Sequence, residues 1–176
     1  MAFDSTQETL KHIREVQKLL ADVCLRLTER GIVHDASKLL EPEKSAFDEN
    51  TEKLRDLTYG SDEYKASLAA MKPAIDHHQQ NNSHHPESKG ERLVSGMTLL
   101  DVIEMLVDWR CAGQRHEDGC FACSIRINKQ RFKISDQLAE IFWNTANEME
   151  WWPRAGCKRC QAAAVVVDPG IPPDLA

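Results

Sequence analysis

The chain has 176 residues with 28 acidic and 22 basic side chains, a net charge of −6. That length suits one domain able to bury a core without staples, and the acidic balance leaves no broad cationic surface for duplex nucleic acid. No apolar run approaches the roughly 20 residues of a membrane span, and Met1-Ala2-Phe3-Asp4-Ser5 lacks the regions of a signal peptide, so a cytosolic protein is expected.

Ser5 and Glu8 have the spacing of a capping box, and Leu10, Ile13, Val16, Leu20, Val23 and Leu27 then recur at helical intervals, which predicts a long amphipathic helix over 6–30. His12 falls within about 40° of Val16, Leu19 and Val23 on that helix, inside the apolar stripe, and is expected to be at least half buried. Its structural alternative is a core histidine bonded to a backbone carbonyl. Gly31 reads as the helix stop. Beyond it, Ile32-Val33-His34-Asp35-Ala36-Ser37-Lys38 places an imidazole and a carboxylate side by side, with a lysine one turn later. Adjacent residues inside a helix diverge by about 100°, so His34 and Asp35 can share a cation only from a turn or a helix start.

Glu41-Pro42-Glu43 reads as a fresh helix start, with proline in the first turn and acids at the positive end of the dipole. A polar stretch over 48–62 follows, and a helical pattern resumes at Ser61 until Pro73 kinks it or begins a new segment. That segment leads into His77-His78, then Gln79 to Ser83, then His84-His85. Four of the seven histidines thus lie within nine positions. Neutral imidazole is the commonest metal ligand, and the intervening polar residues allow a turn that brings both pairs to one centre.

The segment from Thr98 to about Ala112 is the most hydrophobic helix in the chain, yet it carries Asp101, Glu104 and Asp108 on one face. A capping box with Thr98 accounts for Asp101. Asp108 is costly to bury unpaired and requires a cation or a strong donor, either a metal or one of Arg110, Arg92 and Lys38.

The set His12, His34-Asp35 with Lys38, the histidine pair, and Asp108 in a late core helix resembles the H…HD…D pattern of the HD-domain metal-dependent phosphohydrolases, with His34 to Lys38 in the place of the HD-x-x-K form. Tyr59-Gly60-Ser61, Met71-Lys72-Pro73-Ala74, Asn82-Ser83-His84-His85-Pro86-Glu87 and Glu104-Met105-Leu106-Val107-Asp108-Trp109 resemble more closely an uncharacterised HD-like family of phages and bacteria. The resemblance implies an all-α bundle around a metal centre and hydrolysis of phosphoesters, often nucleotides. The Gly-Tyr-Pro subgroup motif is absent, which argues against a cyclic-dinucleotide phosphodiesterase.

Two C-x-x-C pairs, Cys120/Cys123 and Cys157/Cys160, each preceded by glycine, have the form of zinc knuckles flanking a helix over 135–149, and a structural four-cysteine zinc site is expected. A redox dithiol or idle thiols are the alternatives. Cys24 is expected in the core. One domain spans 1–165, and 166–176 form a proline-rich tail.

Together these readings give a hydrolase in which His12, His34, Asp35 and Asp108 hold Mn, Fe, Co, Ni or Zn, with His77, His78, His84 or His85 completing the shell or holding a second ion. Asp35, Lys38 and Glu104 are the expected catalytic groups. The expected partner is a nucleotide or related small phosphoester, and self-association stays open. A silent nucleotide- or protein-binding module and an iron oxygenase on the same scaffold are the competing readings.

Overall fold

The computed structural model describes residues 3–57, 61–114 and 120–151, and among them the chain is all-helical, with no strand. Seven α-helices follow in order: α1 (Thr6–Val33), α2 (Glu43–Asp56), α3 (Asp62–Ala70), α4 (Lys72–Asn81), α5 (Leu99–Gly113), α6 (Phe121–Arg131) and α7 (Asp136–Glu148). A short 3-10 turn at Ala36–Leu39 joins α1 to α2, and a longer irregular 3-10 segment at Pro86–Gly96 joins α4 to α5. Pro73 sits in the first turn of α4, where a missing N–H costs nothing.

The core belongs to the C-terminal half. Val102, Met105 and Leu106 of α5 pack with Phe121 and Ile125 of α6, Phe132 and Ile134 of the connection, and Ala139, Phe142 and Ala146 of α7. Trp109 lies parallel to Phe132 at 6.0 Å and meets Phe142 edge-on at 6.1 Å, so aromatic contact closes the α5–α7 junction. Burying one such phenyl ring contributes roughly 2–3 kcal/mol. The helix over 135–149 forms nearly as expected and Ser135 caps it, with Ala139, Phe142 and Ala146 buried and Ile141 52% exposed. α6 was not anticipated from the sequence.

α5 divides the molecule. Its apolar face builds the core, and its acidic face, Asp101, Glu104 and Asp108, turns toward Arg30 at the end of α1 and toward His34, His84 and Lys89. The anticipated box at its start is present: Asp101 N donates to Thr98 Oγ1 at 3.2 Å, and Thr98 N donates to Asp101 Oδ2 at 2.9 Å.

α1 departs most from expectation. It runs through Gly31 to Val33, so the glycine does not stop it, and Ser5 makes no side-chain cap. Instead Asp4 accepts from Thr6 N at 3.0 Å. None of its residues is buried among the described residues. Ile13 is 44% and Leu20 59% exposed, because only the last turns of α1 lie on α5. His12 and Cys24 are exposed for the same reason, which corrects both expected burials.

Candidate metal centre

The chain turns sharply where α1 ends. His34 leaves the helix at φ −53°, ψ 129°, and Asp35 adopts the left-handed conformation at φ 57°, ψ 12°, which a short polar side chain tolerates better than most. This reversal, and not a helix start, lets neighbouring side chains converge: His34 Nε2 lies 3.6 Å from Asp35 Oδ1.

Asp35 Oδ1 is the focus. His78 Nε2 approaches it to 3.1 Å from α4, and His84 Nε2 to 3.4 Å from the following turn. His85 completes a four-ligand group with Asp35, His78 and His84, and His34, His84 and Asp108 form a second group sharing His84. Within each group the candidate ligand atoms lie within 4.8 Å of one another.

Outer carboxylates fix the rings. Glu43, fully buried at the start of α2, holds His78 Nδ1 at 2.9 Å through one oxygen and His77 Nδ1 at 2.8 Å through the other. Ser37 Oγ donates to the same Glu43 at 2.9 Å. Glu104 holds His34 Nδ1 at 2.9 Å and His84 Nδ1 at 3.1 Å, and accepts from Arg30 Nε at 2.7 Å. The Nδ1 atoms of His34, His78 and His84 thus each face a carboxylate as donors, which leaves their Nε2 lone pairs to point inward. The inward atoms are Asp35 Oδ1 and the Nε2 atoms of His78, His84 and His85, all buried and without a hydrogen-bond partner among the described residues. Lone pairs facing a carboxylate oxygen at this range repel unless a proton or a cation lies between them, so the donor set fits a divalent cation.

Charge points the same way. Five carboxylates (Asp35, Glu43, Asp101, Glu104 and Asp108) surround the centre, with Arg30, Lys38 and Lys89 as their cationic partners. The surplus of two negative charges matches one divalent ion. Without an ion the carboxylates must hold protons on imidazole: Asp108, with Glu104, raises the His34 pKa to about 9. Burial disfavours the Asp35 charge, but His78, His84 and Lys38 outweigh it and keep the carboxyl well below its usual range. Burial, reinforced by His84 and His78, pushes His85 down to about 3, so it is neutral and ready to coordinate.

Several expectations are corrected. His12 is exposed and stands outside the cluster, roughly 33 Å along α1 from His34 at about 1.5 Å per residue. His77 faces the outer oxygen of Glu43 and is 42% exposed, so it belongs to neither ligand group. Lys38 Nζ bonds Asp35 Oδ2 at 2.5 Å and lies over the Phe47 ring, beside the centre. Asp101 is more than a cap: it pairs with Arg30 and lies 3.6 Å from Lys89 while almost fully buried. Glu43 is the group the sequence reading missed. Cys120 caps α6, its Sγ accepting from Cys123 N at 3.5 Å, while Cys157, Cys160 and the tail lie outside the described residues.

The two acids of α5 separate position from stability. Glu104→Gln should lower metal affinity roughly 10- to 100-fold, because the imidazoles of His34 and His84 lose the charged acceptor that orients them, and an amide turns its oxygen to them only by turning its NH2 against Arg30. Asp101→Asn should instead cost about 1–3 kcal/mol of stability, because Arg30 loses one of its two carboxylate partners and the α5 capping box loses its charged acceptor. Metal titration and denaturant unfolding of both variants check this; equal effects on the two readouts would merge the roles.

No curated protein and no solved structure matches the chain. One family model does, over residues 1–148, and the chain therefore belongs to DUF5662, a family of unknown function.

Proposed function

We propose that the protein is a metal-dependent phosphohydrolase acting on a small phosphoester. The observation that carries this reading is the convergence of His78 and His84 Nε2 on Asp35 Oδ1, all three atoms buried and without a hydrogen-bond partner among the described residues. Asp35, His78, His84 and His85 would hold one divalent ion, with His34 and Asp108 extending the shell or holding a second. A cation held there supplies Lewis acidity, acidifying a water and drawing charge from a phosphoryl oxygen. Glu43 and Glu104 keep the imidazoles in the coordinating tautomer. The Lys38 ammonium, tethered to Asp35, is placed to offset charge that grows on a bound phosphoryl group. The resemblance of His34-Asp35-Ala36-Ser37-Lys38 to the HD-x-x-K signature favours phosphoester chemistry over other hydrolyses. A structural zinc held by Cys120, Cys123, Cys157 and Cys160 is part of the same proposal.

Metal analysis of untagged protein, followed by phosphate-release assays with added Mn or Co across nucleotides and simple phosphoesters, tests both parts. One transition metal lost with Asp35, one zinc lost with Cys120→Ser at a lowered Tm but unchanged turnover, and phosphate release are expected. Iron with oxygen consumption would establish the oxygenase instead, and ligand binding without turnover would establish the binding module.

A further inference from the structure

Six aliphatic side chains of α1, Leu10, Ile13, Val16, Leu19, Leu20 and Val23, are 39–69% exposed. They follow a pattern. Ile13, Leu20 and Leu27 recur at intervals of seven, Val16 and Val23 fall between them at the same interval, and Glu8, Glu15, Asp22 and Glu29 repeat with the same period along one edge. On a straight helix a strict seven-residue repeat drifts by about 20° per heptad, so it keeps one face in register only against another helix that coils with it. The apolar faces of α5 and α7 are already buried in the core. Among the described helices the matching free face is α1 itself, in a second copy.

The fold decides the direction of pairing. At the C-terminal end of the stripe Leu27 is half-buried, and Arg30, next in the repeat, is bound to Asp101 and Glu104, so α5 occupies that end of the face. A parallel partner would bring its own Arg30 and α5 to the same place. An antiparallel partner avoids this when the two helices cross level with residue 18. Ile13 then packs on Val23 of the other copy and Val16 on Leu20, while Arg30 lies level with Thr6, where the other helix begins. The flanks agree with this register: Leu19 meets Leu19, Leu10 meets the exposed Cys24, and Arg26 comes between Glu8 and Glu15 of the other copy.

The area is sufficient. From residue 9 to residue 27 the helix is about 27 Å long and about 10–12 Å across, which presents on the order of 500 Å² on one side. Two such faces bury on the order of 1,000 Å², the size a specific interface must reach.

We propose that α1 pairs antiparallel with α1 of a second copy, giving a dimer with one metal centre toward each end. The first turns of α1, which stand alone in a single copy, are covered in the pair. His12 of the other copy comes level with Cys24, about 15 Å short of His34 along the axis, so each centre is complete within one chain.

Sedimentation velocity of the untagged full chain, from low to high micromolar concentration, tests the pairing. The chain should sediment at twice its own mass. Leu20→Glu should weaken the dimer roughly 100-fold or more, because a carboxylate would be buried without a partner. Leu20 is exposed in a single copy, so this variant should keep its helical body and its metal content. Lys18→Ala, on the opposite face, should leave the dimer intact. With Cys24→Ser in place, Leu19→Cys should be joined to its own counterpart by a short bismaleimide, and mass spectrometry of the linked peptide reads the register. A chain monomeric at every concentration, a dimer indifferent to Leu20→Glu, or a dimer in which residue 19 does not link to itself would overturn the proposal. A monomer with amides protected as far as Leu10 would place the cover within the same chain instead.

Discussion

Asp35→Asn is expected to abolish both metal retention and turnover while leaving helix content unchanged. Asparagine is the fitting substitution because it is nearly isosteric and tolerates the left-handed backbone at this position, so strain does not enter the comparison. Asp35 Oδ1 is the point on which the Nε2 atoms of His78 and His84 converge, so losing its charge removes the only anionic ligand of the four-residue group. The drop in affinity should exceed the roughly 10- to 100-fold expected for an outer carboxylate such as Glu104. Circular dichroism and metal analysis of the purified variant provide the check, and a normally loaded Asp35→Asn protein would remove the basis of the metal centre.

Metal uptake near pH 7.5 is expected to release about one proton per site, and affinity should rise roughly tenfold per pH unit until the pH reaches about 9. The sign follows from His34. In the metal-free protein, Asp108 and Glu104 hold its proton up to about 9, above the ordinary 6.5, and an entering ion must displace it. His85, held down to about 3, is already neutral and adds nothing to the count. The same proton contributes stability to the metal-free fold that is complete below about pH 6.5 and lost as the pH rises through 9. Calorimetry in buffers of different ionisation enthalpy measures the released proton directly. A heat independent of buffer would mean that His34 is not displaced and lies outside the coordination shell.

The stretches that carry the candidate ligands were readable from sequence because their chemistry is local: His34-Asp35, the two histidine pairs, and acids repeating on one face of a hydrophobic helix. Choosing His78 over His77 needed one more step. Met71, Ala74 and His78 are all buried at helical intervals, so the apolar residues before the pair already mark its inward member. Glu43 could not be found this way. It reads as an acid favoured by the helix dipole, and its partners lie 34 and 35 positions away, a distance no periodicity reports. The error at His12 has the opposite origin. An amphipathic pattern states which face of a helix would be buried, but not whether anything packs on it, and most of α1 extends past the rest of the bundle.

That extension gives α1 two kinds of stability along its length. At its C-terminal end Arg30 is tied to Asp101 and Glu104, so the last turn can open only if the ionic network opens with it. Toward the N-terminus the turns rest on backbone propagation and pairs such as Lys18–Glu15 and Arg26–Asp22, each contributing a few tenths of a kcal/mol. Helix–coil cooperativity alone then governs opening there, and amide protection should decay from Arg30 toward Thr6, as in a peptide anchored at one end. An ion bound beside Glu104 would slow exchange in the anchored turn and leave the far turns almost unchanged, so the helix records occupancy of the centre only at its root.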